Sequence, residues 1–162
     1  MANQVLTEKK AKQISECGLK LLKEYEGLRL EAYKDSVGVL TIGYGHAIKP
    51  GESFPDWKIT TEEAEELLLK DVAWAVAVVN ATPNADKLNA NQFDALVLLV
   101  FNIGAEAYKE STIRRYVASQ RYECVPDQFM RWVRGKVNGV MVKLPGLVNR
   151  RKNEVVLWKS KA

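Results

Sequence analysis

Residues 26–46, EGLRLEAYKDSVGVLTIGYGH, decide how this chain is read. They begin where a predicted helix ends. Ser15 is a good N-cap, and Cys17, Leu21, Leu22 and Tyr25 follow at helical spacing. The helix is expected to stop at Gly27, which can take the left-handed conformation that closes a helix. Leu28 to Lys34 and Val37 to Tyr44 are β-prone runs around Asp35-Ser36-Val37-Gly38, and they predict a small hairpin or short sheet. Gly43 and Gly45 flank Tyr44 and interrupt any long strand, which implies close backbone approach. Helix end, turn and return strand carry Glu26, Asp35 and Thr41, and can converge on one concavity.

Outward from this segment, residues 49–58 form a loop with Pro50-Gly51, Ser53 and Pro55. Thr60 opens a capping box closed by Glu63, and acidic residues crowd the first turn that follows, where the helix dipole favours them. This helix should run from Thr61 to about Asn80, roughly 30 Å at 1.5 Å per residue, and end at Thr82-Pro83-Asn84. Asn89 to Gln92 resembles another cap. It leads into Phe93, Ala95 to Phe101 and Ile103, apolar on nearly every side and hence the central helix of a second lobe. Further helices are expected after Ser111, near Pro126 and at Pro145-Gly146. Gly135 to Leu144 could form a small hairpin with Asn138-Gly139 at its turn. Residues 1–12 suggest a frayed arm or short helix.

Composition narrows the function classes. The 162 residues are 47% hydrophobic and 27% charged, which suits a folded chain of one domain or two small lobes sharing a helix. Two cysteines, Cys17 and Cys124, fall short of a disulfide scaffold and are expected to be buried small hydrophobes. The N-terminus lacks the apolar run of a secretory signal, and the longest apolar run, Ala95 to Phe101, is too short to span a bilayer. The net charge is +4, with ten basic and three acidic side chains in residues 121–162. Such a basic region implies an anionic partner. One histidine and two distant cysteines do not make a zinc site, and Gly43-Tyr44-Gly45 is too short for a phosphate loop, so no metal or cofactor is expected.

Glycoside hydrolysis needs two carboxyl groups in unlike environments, one protonated to donate to the leaving oxygen and one ionised. Glu26 suits the first role, because it follows Tyr25 and borders the Leu21/Leu22 face, where partial burial favours the neutral form. Asp35, at a polar turn, suits the second. Thr41 adds a hydroxyl that can hold water without adding charge. Each residue also has a plainer use: a solvated helix end, an Asx turn and a β-branched strand residue.

The same segment resembles the catalytic signature of the phage-type (lambdoid) lysozymes, through Glu26-Gly27, Ala32-Tyr33-Lys34-Asp35 and Gly38 to His46, with spacings of nine and then six residues from Glu26 to Asp35 to Thr41. The resemblance continues through Ile59-Thr60, Glu63-Ala64-Glu65, Asn91 to Leu96, Phe101 to Gly104, Ser111-Thr112, Arg131-Trp132, Leu144 to Leu147, Arg150-Arg151 and Glu154, over about residues 13–158. It implies an α+β lysozyme-like fold within a single domain, 1–162. A hairpin-containing N-terminal lobe (13–60) would be joined by a long helix (61–80) to a mainly helical C-terminal lobe (81–162), with the cleft between them. It implies cleavage of the β-1,4 bond between N-acetylmuramic acid and N-acetylglucosamine in peptidoglycan, with Glu26 as acid and Asp35 and Thr41 handling water, and host lysis as the outcome. His46 is expected to pair with Asp71. Gly45, Phe101 and Ser111 correspond to substrate-binding positions. The resemblance further implies a monomer that collects in the host cytoplasm and needs a holin for release.

Other classes remain open from sequence alone. A lytic transglycosylase attacks the same bond without water, and Asp35 and Thr41 argue against it. A basic membrane- or nucleic-acid-binding module would need a positive stripe on a recognition helix, and no specific nucleic-acid partner is expected. Arg150, Arg151, Lys152, Lys159 and Lys161, which flank Val155 to Trp158, read either as the solvated face of a docked terminal helix or as an attraction to the anionic envelope.

Overall fold

Two apolar cores of unequal size are threaded by one helix. In the computed structural model, which describes residues 11–161, seven helices and two small antiparallel sheets follow one another. The N-terminal part comprises α1 (Glu16–Glu26), β1 (Arg29–Lys34), β2 (Leu40–Gly43) and β3 (His46–Ala47), with the strands in the order β1-β2-β3. The long helix α2 (Thr61–Asn80) leads to α3 (Ala90–Ile103), α4 (Ala105–Lys109), α5 (Thr112–Ala118) and α6 (Val125–Phe129). The hairpin β4 (Arg134–Val137) and β5 (Val140–Lys143) and the terminal helix α7 (Pro145–Lys159) complete the chain.

The local signals act as expected. Ser15 Oγ accepts from the Gly18 N–H and starts α1. Thr60 with Glu63 and Asn89 with Gln92 form complete capping boxes on α2 and α3. A cap contributes about 1 kcal/mol, whereas each fully buried large aliphatic contributes roughly 1.5–3 kcal/mol. The caps therefore set where helices begin, and burial decides that they form. All eight residues from Phe93 to Val100 are buried in α3, the centre of the larger core. The smaller core is Ile42, Ile59 and Ala64. Ala64 of α2 sits in the small core, while Leu68, Val72, Ala75, Val76 and Val79 of the same helix sit in the large one. Asn138 (φ 50°) and Gly139 (φ 79°) make the tight turn between β4 and β5.

The expectation of buried cysteines needs amendment. Cys17 is exposed and Cys124 only partly covered. The buried face of α1 is Gly18, Leu19 and Leu22, and Cys17 lies off that stripe. Gly18 instead packs on Asp94, where an added methyl group would meet the Asp94 carboxyl carbon at 2.6 Å. The helix predicted through Ile103 ends there as expected, and a short unforeseen α4 follows at once, because Gly104 (φ 94°, ψ 159°) breaks the path. Of the arm expected over residues 1–12, residues 1–10 lie outside the described residues. Lys12 is not helical and exchanges two hydrogen bonds with the Asn80 side chain at the end of α2. Among the described residues, no helix is long and apolar enough to cross a membrane.

The N-terminal sheet is tied to α2 by His46. Its ring is nearly buried, with Nδ1 2.8 Å from Asp71 Oδ2 and Nε2 3.1 Å from both oxygens of Glu52. The Glu52 contact was not foreseen from sequence; it pins the loop before α2 to the same ring. We expect His46→Asn to lower stability by about 1–3 kcal/mol, the cost of hydrogen bonds to charged groups, while the folded variant keeps substantial turnover. Denaturant melts with assays on folded protein test this; an unchanged melt with lost turnover would show His46 to be catalytic.

Candidate active site

Glu26 is the last residue of α1, and Gly27 turns the chain from helix into strand. Gly27 has a positive φ of 68° but an extended ψ of 153°, so it redirects the chain rather than adding a left-handed turn. Its N–H still closes the helix on Lys23 O. The Glu26 side chain is 25% exposed, and its Oε1 lies 3.7 Å from Nη1 of Arg150 on α7. Burial pushes the Glu26 carboxyl above its usual range, and the Arg150 charge opposes that shift. Arg150 is held in turn by Tyr25, whose ring lies 4.4 Å beneath the guanidinium and whose hydroxyl donates to Arg150 O.

Asp35 sits in the turn between β1 and β2. Its Oδ1 accepts from the N–H groups of Val37 (2.9 Å) and Val39 (2.8 Å), and its own N–H donates to Val39 O. The turn-forming use is therefore real, but it occupies only one carboxylate oxygen; among the described residues Oδ2 accepts no hydrogen bond. Thr41 lies on the central strand, opposite Tyr33 of β1 and Ala47 of β3. Its hydroxyl donates to Val39 O at 3.0 Å, which leaves its lone pairs to accept. Ile42 beside it faces the small core, so by strand alternation Thr41 faces the opposite side.

Gly45 (φ 72°) completes the group. A methyl group there would stand 2.9 Å from Glu26 Oε2, so only glycine lets the chain after β2 pass this close to the carboxyl. Strand β2 thus begins beside the Asp35 turn and ends beside Glu26, with Thr41 between.

Comparison with known proteins places the chain in a family. The family profile described as phage lysozyme matches residues 23–154. The chain is 43% identical to the endolysin of Acyrthosiphon pisum secondary endosymbiont phage 1, over 91% of this chain and 98% of that one. It is 39% identical to the endolysin of Salmonella phage P22, over 91% and 99%. The solved structure of the endolysin from Escherichia coli O157:H7 phage FAHEc1 superposes with a TM-score of 0.84 at 38% identity, covering 93% of this chain and 95% of that one. The chain belongs to the phage lysozyme family. Its fold is accordingly lysozyme-like α+β, and its activity is that of a lysozyme-type glycosidase acting on peptidoglycan.

Sequence reasoning read Arg150 and Arg151 only as part of a solvated or envelope-attracted basic face, whereas Arg151 is buried and Arg150, mostly covered, is set against Glu26. The available signal was Arg150-Arg151 with Glu154 at helical spacing, which puts both cations within reach of one carboxylate. Arg151 and Glu154 are fully buried. Arg151 donates to Glu154 Oε1, to Asn102 Oδ1 and, at 2.9 Å, to Trp132 O. Glu154 Oε2 lies 3.7 Å from Arg150 Nε. Burial pushes the Glu154 carboxyl up to about 7, with Arg151 and Arg150 opposing.

The other expected positions are less closely joined to the carboxyls. Phe101 is half-buried, with its ring centroid 6.0 Å from that of Trp74 and the planes 30° apart. Trp74 is 41% exposed and lies one turn along α2 from Asp71. Ser111 is buried; it caps α5 by accepting from Arg114 N–H and donates to Tyr108 O. It also lines a depression of about 500 Å³ with Gln128, Arg131 and Trp132, within the helical lobe.

A group whose folded pKa is raised favours the folded state only while protonated. Stability contributed by Glu154 is therefore full below its ordinary value of 4.5 and is lost as pH rises through about 7. Melting temperatures across this range should fall less steeply for Glu154→Gln than for the unaltered enzyme. Parallel curves would show that Glu154 is ionised throughout.

Proposed function

We propose that Glu26 is the general acid and that Asp35 and Thr41 hold and activate the attacking water. The bond cleaved is the β-1,4 linkage from N-acetylmuramic acid to N-acetylglucosamine. The observation that carries this reading is the contrast between two carboxyls on one hairpin and its flanking helix. Glu26 is desolvated and pushed toward its neutral form, while Asp35 is presented from a solvated turn with one oxygen free of protein partners. Glu26 gives its proton to the glycosidic oxygen as the C1–O bond breaks. Water bonds to C1 from the opposite face, and Asp35 takes the released proton while the Thr41 hydroxyl holds the water. Net addition of one water with inverted configuration follows, and the cycle closes as Asp35 releases its proton to solvent and Glu26 regains one.

Gly45 lets the sugar chain approach beside Glu26, and Phe101 with Trp74 offers a flat apolar face suited to a pyranose ring. Ser111, a structural cap, contributes by shaping the depression around Trp132. The two lobes on either side of α2 act as one domain and as a monomer. The protein collects in the host cytoplasm and is released to the wall by a holin, a reading suggested by its kinship with endolysins, and the basic residues of the terminal helix draw it to the anionic envelope.

Glu26→Gln should reduce turnover on purified sacculi by about 10²–10⁴-fold, the usual contribution of a general acid. Mass spectrometry of the wild-type digest should show reducing muramic ends. Full turnover in Glu26→Gln would remove Glu26 from the mechanism, and anhydromuramic ends would replace hydrolysis by transglycosylation. Arg150→Met removes the cation that opposes protonation of Glu26. The alkaline limb of the pH–kcat/KM profile should then move upward by about one unit. A limb that stays in place or moves down would mean that another group is the acid.

A further inference from the structure

The β4–β5 hairpin takes no part in the site described above, yet both of its faces stand in solvent. Its register places Arg134 opposite Lys143 and Lys136 opposite Met141, while Gly135 opposes Val142 and Val137 opposes Val140. Paired residues share a face, and faces alternate along each strand. One face is therefore Arg134, Lys136, Met141 and Lys143, and the other is Gly135, Val137, Val140 and Val142. The exposed valines are 45% (Val137), 61% (Val140) and 36% (Val142) accessible, and Met141 is 53% accessible.

Neither face is covered by the rest of the protein. Like charges directly across a ladder repel, and among the described residues no carboxylate is ion-paired with Arg134, Lys136 or Lys143. The valine face leaves a run of apolar surface uncovered at the tip of a two-stranded ribbon, which has little stability of its own. The hairpin is nonetheless fixed at its base, because Gly135 packs against Leu144, where an added methyl group would come within 2.7 Å of Cδ1. The Asn138-Gly139 turn makes Val137 and Val140 the foremost apolar side chains.

We propose that this hairpin docks on an anionic phospholipid bilayer. Entering tip-first, the hairpin sets Val137, Val140 and then Met141 at the acyl boundary, and headgroup phosphates neutralise Lys136, Arg134 and Lys143 nearer its base. A polyanionic glycan meets the second requirement but offers no apolar phase for the first. The amphipathic ribbon is distinct from the basic helix α7, whose Trp158 is buried in the large core.

The test is co-sedimentation of the full chain with vesicles of equimolar phosphatidylglycerol and phosphatidylethanolamine, against pure phosphatidylcholine. Wild type should bind the anionic vesicles preferentially. Each cation near such a surface is worth about fivefold in partitioning, so Arg134→Gln/Lys136→Gln/Lys143→Gln should weaken binding by about a hundredfold. Val137→Ser/Val140→Ser should also weaken it, and both variants should keep turnover on purified sacculi. An environment-sensitive fluorophore at Val140→Cys, in a Cys17→Ser/Cys124→Ser background, should shift to the blue on binding and reports independently of the multiple variants. Wild type without preference for anionic vesicles, hairpin variants that bind like wild type, or a probe that stays in water would each overturn the proposal. A wild type that ignores vesicles but adheres to sacculi through the three cations would make a wall polyanion the partner and would equally overturn it.

Discussion

A carboxyl group at the end of α1 is withdrawn from water and faced by a single guanidinium, and the arrangement of the active lobe follows from keeping that pair in place. Full desolvation would leave Glu26 too reluctant to ionise, and a close bidentate pairing with Arg150 would leave it too willing. At 3.7 Å the cation moderates the shift without cancelling it. The acid proposed here, which must give up its proton and regain it in every cycle, needs that intermediate condition.

Holding Arg150 there draws on three elements. Tyr25 of α1 supplies the ring beneath the guanidinium, so the residue before Glu26 positions the partner of Glu26. On α7, Arg151 and Glu154 form a buried pair anchored to Asn102 of α3 and to the Trp132 carbonyl. Such a pair adds little net stability against an apolar replacement, but losing one member costs about 3–5 kcal/mol. Its effect here is to fix the rotation of α7, and with it the side of the helix on which Arg150 emerges. The large core and the chemistry are thereby joined through one helix.

The β-sheet solves a different problem. Asp35 and Glu26 need unlike surroundings while lying on neighbouring elements of the chain. Strand β2 separates them, with Asp35 bonded at its start and Gly45 against Glu26 beyond its end. His46, directly after Gly45, ties that end of the sheet to α2 and to Glu52. The turn between the positive-φ glycines Gly43 and Gly45 is thus bounded by a nearly buried, hydrogen-bonded side chain.

Much of this was legible in residue order. Caps at Ser15, Thr60, Asn89 and Ser111, the α2 span, the Asn138-Gly139 turn and the candidates Glu26, Asp35 and Thr41 all depend on neighbours within a few residues, where local hydrogen bonding and steric rules act. Cys17 shows where such rules weaken: one position on a helix separates buried from exposed, and only the packing of Gly18 on Asp94 decides which. Arg150 lies more than a hundred residues from Glu26, and nothing local to either residue announces the pair. Sequence alone determined which carboxyls sit at a helix end and a turn, because backbone geometry is a short-range matter. The tertiary structure alone decided how much water each one sees and which cation it meets, because desolvation and charge depend on whatever distant chain folds against them.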